Sequence, residues 1–113
     1  MEAKKFVEAL KTECRDAAVQ GCVESYISPP GRKPAQSLVE LSQWFIALSA
    51  HDREMVIRAM ADAADYTLFG VLAVLDGARS IEGEGEKSVF HLSAHKEGKQ
   101  SVISPGPYDL HDL

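Results

Sequence analysis

Four histidines are the side chains of this chain best suited to acid–base or metal chemistry. His91 and His95 lie four apart, a spacing that on a helix would put both imidazoles on one face. The residues around them alternate, with Phe90, Leu92 and Ala94 against Val89, His91, Ser93 and His95, and period two marks a half-buried strand. Four residues of strand span about 13 Å, so the two rings cannot both bind one zinc ion. His51-Asp52 and His111-Asp112 are pairs of the kind that metal-dependent phosphohydrolases use together with a separate upstream histidine, and no histidine precedes His51. His51 reads as a first-turn helix residue. His111 reads as part of a terminal tail, where disorder is the default.

Carboxylates and thiols are the next candidates. Asp62 and Asp65 share a helix face by their spacing of three, and Asp76 follows at the end of the same helix. Paired acids work as general acid and base when burial separates their pKa values; these lie off the apolar stripe and are expected on a solvated face. Cys14 has Lys11 and Arg15 close in sequence, which favours a thiolate, but it falls on the apolar stripe. Cys14 and Cys22 are therefore expected as free, buried thiols. On one helix they stand about 12 Å apart along the axis, beyond disulfide reach. No G-x-S-x-G elbow occurs, and Gly83 and Gly85 sit among glutamates that repel phosphate. No catalytic, cofactor-binding or metal-ligating residue is assigned, and no cofactor is expected.

Charge placement narrows the partners. The net charge is -5, and the whole acidic excess falls after Ala50. Nucleic-acid binding needs clustered Lys and Arg, and the chain has no such cluster beyond Arg32-Lys33. A basic protein partner is permitted. The longest strongly apolar run, Thr67 to Leu75, is under half of the roughly 20 residues of a membrane span. With no recognisable leader and no C-x-x-C pair, the expectation is a cytoplasmic protein that does not meet a membrane.

The elements that would position these side chains follow from periodicity. Phe6, Leu10, Cys14 and Ala17 or Ala18 recur at helical spacing, and Val23, Tyr26 and Ile27 extend that face, predicting a first helix over about 2–27. Ser28-Pro29-Pro30-Gly31-Arg32-Lys33-Pro34 must be a loop. Leu38, Leu41, Phe45 and Leu48, widened by Trp44 and Ile46, predict a second helix over about 36–48. Ser49 is placed to cap a third helix, about 50–75, closed by Asp76-Gly77. An acidic connector, Glu82-Gly83-Glu84-Gly85-Glu86, leads to a hairpin over about 88–104 that turns at Lys96-Glu97-Gly98-Lys99, with Phe90, Leu92 and Ile103 inward. The fold class is α+β: one domain, 1–113, a three-helix layer followed by a C-terminal antiparallel β-hairpin.

The second half of the third helix is apolar almost all round. Leu68, Phe69, Val71, Leu72, Val74 and Leu75 cannot all face one core, and Gly70 among them would admit another backbone. Leu68, Phe69, Leu72 and Leu75 are the candidate interface, with a homodimer as its simplest outcome.

The order of elements resembles that of small bacterial proteins of the immunity-protein style. The resemblance rests on Trp44-Phe45-x-x-Leu48, Arg53-x-x-Val56, Leu68-x-x-Val71-Leu72-x-x-Leu75-Asp76 and the hairpin with its acidic tail, roughly the last two-thirds of the chain. It implies a non-catalytic domain that blocks a toxin by binding it, and it carries over no binding residue. Two other classes stay open: a homo-oligomeric structural or adaptor subunit, and a small enzyme or ligand carrier with a pocket between hairpin and helices.

Overall fold

The computed structural model describes all residues, Met1–Leu113. Three helices are followed by a two-stranded antiparallel sheet at the C-terminus, an α+β arrangement. The first helix is a rod in three parts: α1 (Ala3–Leu10), a π-helical segment (Lys11–Asp16) and α2 (Ala17–Ile27). Its dihedrals stay helical across both joints, so the axis is unbroken. It runs through Gly21 and stops only where Ser28 turns extended before the prolines.

The π segment explains one misplaced expectation. Its wider turns slip the phase of the helix. The covered positions then run Val7, Lys11, Arg15, Val19 and Val23, four apart throughout. Cys14, Ala18 and Cys22, on the stripe of a regular α-helix, rotate outward. Both cysteines are free, as the spacing requires, but exposed rather than buried.

Helix α3 (Gln36–Ala47) packs on α2, and α4 (Ala50–Leu75) packs along the rod antiparallel to it. Ser49 caps α4, its hydroxyl accepting the Asp52 N–H at 3.1 Å. At the other end Gly77, at φ 80°, permits the paired bonds Ala78 N–H to Ala73 O (2.9 Å) and Gly77 N–H to Val74 O (3.1 Å) that close the helix. Arg53, one turn into α4, donates to Ile46 O at 3.0 Å and so satisfies a carbonyl left open at the end of α3. Its guanidinium also lies 5.9 Å from the centre of the buried Phe45 ring.

The second helix buries less than its sequence promises. Only Ser42 and Phe45 are enclosed, with Phe45 edge-on to Tyr26. Leu41, expected on the inner stripe, and Trp44 and Ile46, expected to widen it, are exposed, Trp44 by 53%. The cause is one-sided packing: α3 rests chiefly on α2, so the apolar residues of its other sides meet no neighbour.

Strands β1 (Leu92–Lys96) and β2 (Lys99–Ser104) form the hairpin. Glu97 and Gly98 both adopt positive φ, 53° and 74°, the two-residue turn that matches strand twist. The ladder begins at Leu92 rather than near Val89. Pairing further back would need amides from Pro105-Gly106-Pro107, and proline has none to donate. Phe90, expected on the inner face, therefore lies before the strand and is exposed. A register shift between Leu92 and Ser93 leaves an extra residue on β2, so that Ile103 and Ser104 are buried in succession.

The core lies at one end of the helix pair. Val7 of α1, Leu72 of α4, Ile103 of β2 and Leu110 of the tail form one buried cluster, with Phe6, Leu10, Leu68, Leu75, Leu92 and Leu113 packed around it. Leu110, in a 3₁₀ turn (Leu110–Asp112), has no solvent exposure at all. No helix is long and apolar enough to cross a membrane.

Candidate functional site

Two features stand out from this scaffold: a clamp that holds the tail, and an apolar groove along the helix pair. The clamp is built on Asp76, the residue that ends α4, whose side chain is 2% exposed. Its carboxylate accepts N–H bonds from Leu110 (2.9 Å) and His111 (2.8 Å), and contacts His111 Nδ1 at 2.6 Å. Burial alone would push the Asp76 pKa up; the two backbone N–H bonds and the imidazole together outweigh it and hold the pKa below 3.8. The same bond to Asp76 raises the His111 pKa above 6.5 against partial burial, with Asp112, 3.6 Å from Nε2, adding to the shift. Phe69 meets the imidazole edge-to-face at 5.4 Å, and Lys11 Nζ donates to Leu113 O at 2.8 Å. The tail is thus docked, where its terminal position implied disorder.

Of the residues with chemical potential in the sequence, only Asp76 and His111 are brought together. They lie 35 residues apart, and no local pattern announces the pairing. The apolar spacing of Leu110 and Leu113 was the one usable signal that the tail packs. Asp62 remains exposed, while Asp65 binds the Arg15 guanidinium at 2.9 Å. Asp16 binds the same guanidinium, and the two hydrogen bonds, that of Asp16 first, hold Arg15 in its charged form. His51 and His91 are exposed, and His95 reaches only the hydroxyl of Ser93, at 3.0 Å. Asp109, His111 and Asp112 each place a ligand atom within 4.8 Å of the others; Nδ1 of that histidine is bonded to Asp76, and its Nε2 faces Asp112 at 3.6 Å.

The groove runs between the rod and α4 and holds about 490 Å³. Leu10, Cys14 and Ala18 form one wall and Ala64, Thr67 and Val71 the other. Arg15 is its one charged lining residue, and no histidine or carboxylate lines it to take a proton from Cys14. Val71 is 52% exposed. Neighbouring residues divide the interface expected from the sequence. Leu72, at 3% exposure, is inside the chain's own core, because the hairpin and the tail close over that side of α4. Leu68 and Leu75 are half-buried against the same core, and Phe69 remains open beside His111. Gly70 does not wait for a foreign backbone: the Arg79 guanidinium lies over it, 2.6 Å from where a Cβ would stand.

Comparison with family models, with curated proteins and with solved structures finds no match to this chain.

Proposed function

We propose that the chain is a non-enzymatic protein-interaction domain. The observation that carries this reading is surface. The accessible area is 8402 Å², against about 6,100 Å² for a compact monomer of this mass. The radius of gyration, 18.5 Å, exceeds the roughly 13 Å of a compact chain of this length. The uncovered surface includes apolar helical residues: Val71 along the groove, and Leu41, Trp44 and Ile46 on α3. Exposed apolar patches of this kind mark interfaces, and tryptophan is the residue most enriched where binding energy concentrates. A reading as a small enzyme or ligand carrier has less support. The groove brings no acid or base to its one cysteine.

The sharpest form of the proposal is an immunity-type protein that neutralises a toxin by binding a basic domain of it. The net charge of -5 and the exposed acids Glu82, Glu84 and Glu86 favour such a partner electrostatically. A second reading, a homodimeric structural or adaptor subunit, is favoured by the size of the surface excess. Photo-crosslinking tests the proposal. A benzophenone amino acid at Trp44 or Val71, in cells expressing the chain, is expected to give discrete protein adducts at one or both sites. No adduct at either site would remove the interaction reading.

A further inference from the structure

Resting on that interaction reading, we propose that the groove is filled by the same groove of a second copy. A two-fold axis would close two helix pairs into a four-helix layer, with Cys14, Ala18, Ala64, Thr67 and Val71 at its centre.

A standard interface takes about 800 Å² from each partner. That is about a third of this chain's surface excess of about 2,300 Å² over a compact monomer, an excess the groove shares with the open connector 77–91 and the exposed faces of α3.

Charge is the first argument. In a two-fold interface each patch meets itself, so an unneutralised charge would face its own kind. Within an acidic chain this groove has one charged lining residue, Arg15; Asp16 and Asp65 both bind its guanidinium, at 2.9 Å each, and leave one negative charge at the groove's edge, outside its apolar floor. A basic foreign protein would be drawn to the acids of 82–86, none of which reaches the groove. Size is the second. Cys14, Ala18, Ala63 and Ala64 are small, so helix axes can approach to about 8 Å across them. Leu10 and Val71 supply larger apolar side chains to fill the seam.

The full-length chain decides it. Light scattering between about 1 and about 100 µM is expected to show the mass rising from 12.3 kDa to twice that value. Val71→Glu and Ala18→Glu each place a charge where a single chain leaves the side chain exposed. Each is expected to keep the helical circular dichroism and to weaken association at least about 30-fold. In a Cys22→Ser background, maleimide labelling of Cys14 should slow as concentration rises. Should Val71→Glu fail to fold, Ala18→Glu and the labelling rate decide. A constant mass of 12.3 kDa with concentration-independent labelling overturns the proposal, and so does a dimer that survives both substitutions. A monomer whose Val71 crosslinks to a different protein in cells sinks the second copy alone; absence of every adduct removes the underlying reading as well.

Discussion

Asp76 and His111 tie the end of the longest helix to the end of the chain. One carboxylate, almost wholly enclosed, receives two backbone N–H groups and an imidazole nitrogen, all within 2.9 Å. The carboxylate's charge strengthens each of these bonds. Asparagine keeps the shape but offers one oxygen, and points an N–H₂ group at donors. Asp76→Asn is therefore expected to cost about 2 kcal/mol. Asp62→Asn, on an exposed face of the same helix, should stay within about 0.5 kcal/mol of the parent. Urea denaturation of both variants checks this; equal midpoints would show that the clamp adds nothing to stability.

The clamp also sets a pH dependence. The His111 pKa is raised on folding, so its contribution is complete below 6.5 and is lost as pH rises through the higher folded value. The Asp76 pKa is lowered, so its contribution is complete above 3.8 and is lost as pH falls through the lower folded value. The tail should be held most firmly between those two ordinary values. Titration of the His111 ring by NMR is expected to give a midpoint above 6.5. The protection of the Leu110 amide, measured against its intrinsic exchange rate at each pH, should be greatest in weak acid and fall as His111 deprotonates. A His111 midpoint at or below 6.5 would contradict the arrangement.

Local chemistry was legible in the sequence where it is self-contained. Ser49 caps because a hydroxyl there reaches the Asp52 amide, and Lys96-Glu97-Gly98-Lys99 turns because Gly98 accepts positive φ. These depend on neighbours a few positions away. The limits of the hairpin depended on its exit: Pro105 and Pro107 deny β1 its earlier partners, which an alternating pattern from Val89 does not show. The exposure of Cys14 depended on a π segment, and hydrophobic spacing assumes the regular helix. The exposure of Trp44 depended on which elements α3 fails to touch. The clamp depended on contact between residues 35 apart, set by the whole path of α4, hairpin and tail. In the candidate site, the apolar character of α4 was readable, but the division of its faces was not.

Helical glycines separate intrinsic from packing effects. Gly21 sits inside α2, and a Cβ built on it meets nothing within 4 Å. Gly21→Ala gains helix propensity with no steric cost in the single chain, and should stabilise it by about 1 kcal/mol. Gly70→Ala makes the same gain but must push aside the end of the Arg79 side chain, 2.6 Å away. Its net gain should be smaller. Thermal melts at low concentration, where association is minimal, give the order. A destabilised Gly21→Ala would mean that the rod is not a continuous helix at that point.

Leu72 and Phe69 make the sharpest contrast on α4. They are three residues apart, similar in hydrophobicity, and both plausible at an interface from sequence. Leu72 touches the hairpin and the tail through the shared core and is 3% exposed. Phe69 is 45% exposed and lends one edge-to-face contact to His111. A glutamate at 72 would lose the packing of a buried leucine, about 2–5 kcal/mol, and would leave a charge without a partner, several kcal/mol more. A domain of this size has about 5–15 kcal/mol in total. Leu72→Glu is therefore expected to abolish the cooperative melt. Phe69→Glu forfeits an aromatic contact of about 0.5–1.5 kcal/mol, gains a carboxylate near a protonated imidazole, and should stay folded. Circular dichroism melts of the two variants, run side by side below pH 6.5, test the difference. A folded Leu72→Glu protein would show that the tail and hairpin do not close over α4 as described.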